Sequence, residues 1–145
     1  MTTVTRTFIV TPAPAIVLGY LKDFGNAEQW DPGTERCTRT DAGPVAVGAT
    51  WHNVSKIAGI STELTYTLDQ LSEETIVFVG KNDTATSTDT ISVKPHADGG
   101  SEVTYRADIE LHGAAKLAAP AVKLVFEKLG NDTEKQLTEV LNNLG

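Results

Sequence analysis

The chain has one cysteine, few histidines and no long hydrophobic run, and each shortage excludes a class of protein. Cys37 is the only cysteine in 145 residues, so neither an intramolecular disulfide nor a multi-thiolate metal site can form. His52, His96 and His112 are widely spaced, which argues against a metal site built from histidines. No stretch reaches the ~18 apolar residues of a membrane span. We therefore predict no metal, no cofactor and no stable membrane insertion.

Positive charge is also scarce. Lysine and arginine number 12 against 19 acidic residues, and the formal net charge is -7. Such a chain repels nucleic acid and anionic lipid surfaces, so no nucleic-acid partner is expected. The N-terminal residues show no apolar run behind basic residues, and we expect a protein of the reducing cytoplasm. The length and the 40% hydrophobic content predict one domain over residues 1–145.

Predicted strands account for most of the middle of the chain. Val4–Val10 is rich in β-branched residues and suits a first strand, which Pro12 ends. Helical spacing then predicts a short helix that Gly25 closes and a brief helical turn that ends at Pro32. From Thr34 the period is two, and it predicts six further strands: Glu35–Thr40, Ala49–Lys56, Ser61–Gln70, Thr75–Lys81, Thr84–Lys94 and Glu102–His112. Short links between them imply antiparallel neighbours.

The last segment, Ala114–Leu144, is predicted to be one long amphipathic helix. Its apolar stripe recurs at steps of three and four and consists of Val122, Phe126, Leu129, Thr133, Leu137, Val140 and Leu144. Pro120 marks either a kink or the first turn. Because the sheet precedes the one helix able to cover it, we expect the sheet to fold around this helix and a ligand to sit between the two.

Two residues near the start and one in the second strand are predicted to be structural. Trp30 and Pro32 lie in a Trp-Asp-Pro-Gly break, where a large apolar ring at the end of a helical turn needs cover. We expect them to hold the second short helix against the sheet. Cys37 has no sign of an activating neighbour and is interpreted as a passive strand residue rather than a nucleophile.

Strand alternation assigns an acidic side chain to the apolar face of the sheet. Successive strand residues point to opposite faces, and Ile91 and Val93 belong inside. Strict alternation then carries Asp89 inward as well. A carboxylate in an apolar concavity is costly unless it has a partner, so it has a raised pKa or meets a polar ligand group. The alternative is a β-bulge that leaves Asp89 in solvent.

Small residues on the same face predict a cavity. Gly80, Ser87, Ala107 and Thr62 leave space where a sheet facing a helix normally places large side chains. Aromatic residues around that space are typical of a small-molecule site, although they would equally fill a core. The sequence does not decide whether His52 points to the inner or the outer face of the sheet, and we favour Trp51 and Asn53, its neighbours in the strand, on the inner face. The predicted ligand contacts are Trp51, Asn53, Leu64, Tyr66, Phe78, Asp89, Ile91, Tyr105, Ala107, Phe126 and Leu129.

Several short motifs carry a resemblance to a known superfamily. They are Asp23-Phe24-Gly25-Asn26, Trp30-Asp31-Pro32-Gly33, Leu64-Thr65-Tyr66, Val103-Thr104-Tyr105 and Phe126-Glu127-Lys128-Leu129-Gly130. With the order of elements, the chain resembles the polyketide cyclase/dehydrase-like branch of the SRPBCC superfamily, which also holds START lipid-transfer domains and plant pathogenesis-related allergens. The resemblance implies an α+β helix-grip fold, in which an antiparallel seven-stranded sheet wraps around a long C-terminal helix after two short helices. It also implies a deep hydrophobic cavity under that helix.

Three functions fit the sequence. The favoured one is binding, transport or sequestration of a small lipophilic molecule, which needs only an apolar cavity and one or two polar anchors. The alternative is a cyclase or dehydratase that uses Asp89 as a general base and Tyr66 or Tyr105 as proton donors. A partner-recognition role or a homodimer would use the apolar segment Leu117–Val125 or the loop Ile57–Ile60. That loop is either a lid over the cavity or a tight hairpin.

Overall fold

One antiparallel sheet of seven strands wraps around a long C-terminal helix in the computed structural model, which describes residues 1–144. The strands are β1 (Thr2–Val10), β2 (Thr34–Arg39), β3 (Thr50–Ile57), β4 (Ile60–Leu71), β5 (Thr75–Lys81), β6 (Ala85–Pro95) and β7 (Ser101–Leu111). The helices are α1 (Pro14–Leu21), α2 (Ala27–Trp30) and α3 (Ala119–Asn142), with 3-10 turns at Phe24–Asn26, Ala97–Gly99 and Gly113–Ala118. The predicted helix-grip fold is confirmed.

The strand order is β1-β7-β6-β5-β4-β3-β2, and every neighbouring pair is antiparallel. From β2 to β7 the chain is a meander, since consecutive strands joined by short links pair side by side. The helical segment between β1 and β2 carries the chain from one edge of the sheet to the other. Predicted and observed strand ends agree to within two residues, because the period-two pattern and the turn residues are both strong.

The C-terminal helix begins in two stages. Gly113–Ala118 forms a 3-10 turn, and the α-helix starts at Ala119 with Pro120 in its first turn, so the proline marks the helix start rather than a kink. Gly130 lets α3 approach β1 closely: a Cβ atom at this position would lie 2.4 Å from the Val4 Cγ1 atom. The buried residues of α3 are Gly130, Thr133, Leu137 and Leu141, all from the middle of the helix to its C-terminal end.

The packed core lies between the sheet and the segment that holds α1 and α2. Phe24, in the 3-10 turn between these helices, is buried and contacts four aromatic rings. Its ring centroid lies 4.4 Å from that of Tyr66, 4.5 Å from Phe78, 6.1 Å from Trp30 and 6.2 Å from Trp51. These aromatic side chains fill one half of the concave side of the sheet.

The apolar connection between β3 and β4 is a tight hairpin. Ile57 ends β3 and Ile60 begins β4, so only two residues form the turn. Ala58 and Gly59 have φ angles of 52° and 81°, the positive values that a type I′ turn requires at both central positions. Of the two readings of this loop, the hairpin is therefore the observed one, although its side chains also reach the cavity described below.

Candidate ligand-binding cavity

A cavity of about 510 Å³ lies between the inner face of the sheet and the N-terminal half of α3. Its volume falls within the range of ~300–1,000 Å³ that small-molecule sites occupy. The residues that line it are Val4, Asp31, Ser55, Ile57, Ala58, Ile60, Thr62, Leu64, Tyr66, Asn82, Thr84, Ala85, Ser87, Asp89, Tyr105, Ala107, Ile109, Leu111, Ala118, Ala121, Val122, Val125, Phe126, Leu129, Gly130 and Thr133. Most of the wall is apolar, so a bound molecule would gain affinity from burial of its own apolar surface.

The exposed lining residues mark the mouth of the cavity. Ile60 in the β3–β4 hairpin is 71% exposed, and Ala118 and Ala121 are exposed at the start of α3. This end of the helix has no fully buried residue before Gly130. The cavity thus opens where the helix is least tightly packed against the sheet.

A hydrogen-bonded carboxyl group forms the polar part of the wall. The Tyr105 hydroxyl donates to Asp89 Oδ2 at 2.8 Å, and the Ser87 hydroxyl donates to Asp89 Oδ1 at 3.2 Å. Asp89 is only 4% exposed. Tyr105 stands opposite Ile91 on the neighbouring strand, so its ring reaches Asp89 diagonally, as long side chains do across antiparallel strands. Asp89 therefore points to the inner face of the sheet, as strand alternation predicts.

Burial controls protonation in this cluster. Loss of solvent raises the pKa of Asp89 to about 7, although the Tyr105 hydrogen bond acts in the opposite direction. The charge of Asp31 raises it further. Burial also raises the pKa of Tyr66 and of Tyr105 well above 10.0, with Asp89 as the second cause in both. Near neutral pH the tyrosines are therefore neutral donors, while Asp89 exchanges a proton.

Asp31 is a second carboxyl group in the wall. It follows directly after α2, and its oxygens accept hydrogen bonds from the Gly33 backbone N–H and the Thr34 hydroxyl, both at 3.0 Å. Burial raises the pKa of Asp31. The sequence analysis did not select this residue, because its Trp-Asp-Pro-Gly segment was interpreted only as a structural break. The sequence did carry a signal for Asp31, because this carboxylate directly follows Trp30, a large apolar side chain that needs burial.

Seven of the eleven predicted contact residues line the cavity, and they come from the strands β4, β6 and β7 and from α3. They are Leu64, Tyr66, Asp89, Tyr105, Ala107, Phe126 and Leu129. Tyr66 and Tyr105, the predicted donors, thus share the cavity with the predicted base. Ligand contact by these residues stays a prediction.

Trp51, Phe78 and Ile91 were expected to contact a ligand, and the structure places them elsewhere. All three are fully buried in the packed core and do not line the cavity. The physical reason is Phe24, which packs against Trp51 and Phe78 and fills the space that would otherwise open to a ligand. The inward facing of these residues was correct, and the assignment to the cavity was wrong.

Asn53 also faces inward without lining the cavity. Its side-chain amide donates to the Thr34 hydroxyl at 3.1 Å and its oxygen accepts from the Ser55 hydroxyl at 2.6 Å, so the polar group is satisfied within the protein. Its neighbour His52 lies on the outer face, with Nε2 2.9 Å from the Glu63 carboxylate. The prediction that Asn53 lines the cavity was therefore wrong, and the ambiguous His52 is not part of the cavity wall.

The remaining reactive groups lie outside the cavity. Cys37 is buried in β2, and burial raises the pKa of its thiol to about 12, so the thiolate nucleophile does not form near neutral pH. Among residues 1–144, no group of three or more His, Cys, Asp or Glu side chains is placed to hold a metal ion. In the same part of the chain, no helix is long and apolar enough to cross a membrane.

Fold and cavity together define a helix-grip protein with a largely apolar cavity under its C-terminal helix. Residues 1–142 match the family model described as "Polyketide cyclase / dehydrase and lipid transport", and the chain belongs to this family. A comparison with curated proteins finds no significant match.

Solved structures share the fold at low sequence identity. A START superfamily protein from Mycobacterium smegmatis has a TM-score of 0.82 at 17% identity, with 100% of both chains covered. A protein from Thermus thermophilus has a TM-score of 0.79 at 15% identity, with 96% of each chain covered. The ZhuI aromatase/cyclase from a Streptomyces species has a TM-score of 0.79 at 13% identity, covering 96% of this chain and 92% of the other.

Proposed function

We propose that the protein binds a small lipophilic molecule in the cavity under α3, as a carrier or sequestering protein. The observation that supports this most directly is a largely apolar cavity of about 510 Å³ whose few polar groups include the hydrogen-bonded cluster of Asp89, Tyr105 and Ser87. An apolar wall supplies affinity, and a few placed polar groups supply orientation. The family description, which includes lipid transport, points the same way.

A cavity-filling substitution tests this proposal. Ala107→Phe adds a ring to the inner face of β7, where Ala107 lines the cavity, and should abolish binding of an environment-sensitive lipophilic dye. Ala42→Phe adds the same ring in an exposed loop and should leave dye binding unchanged. Native mass spectrometry of the purified wild type should show a co-purifying lipophile that Ala107→Phe lacks. Equal dye binding by both variants would contradict the proposal.

The second candidate function is cyclisation or dehydration of a polyketone. One observation favours it: Asp89 has a pKa raised to about 7 and lies 2.8 Å from the Tyr105 hydroxyl, which are the features of a general base with a neighbouring proton donor. The structural similarity to an aromatase/cyclase is consistent with this but shows only the fold.

The variant Asp89→Asn separates the two functions. If Asp89 is a general base, the variant should keep ligand binding and lose turnover of a linear polyketone, since an amide accepts no proton near neutral pH. Tyr105→Phe should then lower turnover as well. For a carrier, the wild type itself has no turnover, and Asp89→Asn changes affinity alone. We expect the carrier outcome.

A further inference from the structure

We propose that the cavity selects its ligand by charge: it binds lipophiles that carry a hydrogen-bond donor and no negative charge, a protonated amine best of all, and it rejects carboxylates. This inference rests on the proposed function and names the chemical class of the ligand. It is drawn from the side chains that line the cavity and from the hydrogen bonds that Asp89 already makes.

The ionisable side chains in the wall are of one kind. Asp31 and Asp89 are its two carboxyl groups, and Tyr66 and Tyr105 are its two phenols. Within residues 1–144, no lysine, arginine or histidine is among the lining residues. A buried anion is stable only when it is paired or hydrogen-bonded, and this wall offers a carboxylate ligand no cation to pair with.

One cation beside the cavity wall, Arg6, is already engaged in contacts within the protein. Arg6 lies next to Gly130, where its Nη2 atom would be 3.2 Å from an added Cβ. Its Nη2 atom donates to Asn131 Oδ1 at 2.9 Å and to the Glu127 backbone oxygen at 3.2 Å, and it also pairs with the Glu127 carboxylate at 3.3 Å. The guanidinium is thus held on the surface of α3 and does not serve a ligand in the cavity.

Asp89 retains capacity to accept hydrogen bonds. An ionised carboxylate offers about four lone-pair sites. Tyr105 and Ser87 donate one hydrogen bond each, to different oxygens. An ammonium group in the cavity would therefore find both a counter-charge and free acceptor positions, and hydrogen bonds to charged groups are the stronger ones. A hydroxyl group would find the acceptor positions only, and a carboxylate ligand would meet like charge from Asp89 and Asp31.

A matched set of bicyclic probes tests the selection. Naphthylmethylamine, naphthylmethanol and naphthoate share one apolar body and differ in the charge of one group, and their affinities can be compared by fluorescence titration near neutral pH. We expect the amine to bind tightest, the alcohol next, and naphthoate about a hundredfold more weakly than the amine. Ala107→Phe should abolish binding of all three, which shows that the probes occupy the cavity.

Two variants that remove the same formal charge locate the origin of the preference. Asp89→Asn should weaken amine binding about tenfold while changing the alcohol little. Asp69→Asn removes an exposed carboxylate on β4 and should leave all three affinities unchanged.

The outcomes separate the two proposals. Naphthoate binding as tightly as the amine would overturn charge selection while leaving the binding function intact. An equal loss of amine affinity in Asp69→Asn and Asp89→Asn would also overturn it, because the preference would then come from the net charge of the protein. Absence of binding by all three probes to the wild type would contradict the proposed function, and this inference with it.

Discussion

The ring of Tyr66 lies directly over Gly80 on the neighbouring strand. These two residues are paired in the register of β4 and β5, and a Cβ atom at Gly80 would lie 2.5 Å from the Tyr66 Cζ atom. The small size of Gly80 predicted that the glycine would itself leave cavity space. In the structure, the space above Gly80 is occupied instead. The glycine makes room for a tyrosine ring that separates the cavity from the aromatic core around Phe24.

Gly80→Ala should push the Tyr66 ring toward the cavity. Overpacking of this kind costs about 1–3 kcal/mol of unfolding free energy. We also expect weaker binding of a lipophilic dye, since the displaced ring narrows the site. Thermal or denaturant unfolding and a dye titration measure the two effects. Gly19→Ala is the matched control, because a Cβ at this exposed position meets no atom within 4 Å and the change should stabilise the helix α1. Unchanged stability and binding in Gly80→Ala would contradict the described contact.

Gly130→Ala should destabilise the protein although it improves helix propensity. The added Cβ would lie 2.4 Å from Val4 Cγ1 and 3.3 Å from Arg6 Cζ, so α3 must move away from β1. Alanine gains about 1 kcal/mol over glycine in a helix interior, and the clash has to exceed that gain. The changes in unfolding free energy of Gly130→Ala and Gly19→Ala, both measured by denaturant unfolding, are then compared. Because Gly19→Ala gains helix propensity without a clash, the difference between the two isolates the packing cost at Gly130. A stabilised Gly130→Ala variant would show that the approach of helix and strand is loose.

Asp89→Asn should gain stability relative to the wild type as the pH rises. The folded protein holds a proton on Asp89 up to about pH 7, whereas the unfolded chain loses it near the ordinary pKa of 3.8. Between these values the native state binds more protons, so the wild type loses up to ~1.4 kcal/mol per pH unit through this group. Denaturant unfolding across this range measures the difference between the two proteins, which should rise with pH and level off above about 7.

The comparison of Asp89→Asn with the wild type also removes the contributions of other titrating groups to the pH dependence of stability. Asp31 also has a raised pKa, but it is present in both proteins and cancels in the difference. Tyr66 and Tyr105 stay protonated throughout the range, since their pKa values lie well above 10.0. A difference that is independent of pH would mean that Asp89 titrates normally in the folded protein.

Trp30→Ala should cost about 3–5 kcal/mol of unfolding free energy, because it removes a large buried ring. The ring is fully buried and packs edge-on against Phe24 and Tyr105, with centroids 6.1 and 5.9 Å apart. Its Nε1 atom has no hydrogen-bond partner in the part of the chain that the structure describes, so Trp30→Phe loses no polar contact and should cost less. Thermal melts of both variants provide the measurement. An unchanged melting temperature for Trp30→Ala would contradict its predicted structural role.

The order of elements and the facing of the strand residues were predictable from the sequence. The period-two pattern places Asp89 and Tyr105 on one face, and in the structure both are inside and hydrogen-bonded. Alternation is a local property of extended backbone, so it survives whatever packs against the sheet. The helix α3 was also predictable, but the sequence left Pro120 open as a kink or the first turn; the α-helix starts at Ala119, and Pro120 lies in its first turn, where its missing N–H costs no hydrogen bond.

The tertiary structure determines which half of the inner face of the sheet is left empty. Trp51 and Tyr66 both face inward, and Phe24 from a distant turn packs against both rings. Trp51 is enclosed in the core beyond Phe24, whereas Tyr66 also forms part of the cavity wall. Asp31 reaches the wall for a related reason, since the helical segment that buries Phe24 also carries this carboxyl group to the cavity. Periodicity assigns a side chain to a face, but only the packing of segments far apart in the chain determines what lies opposite it.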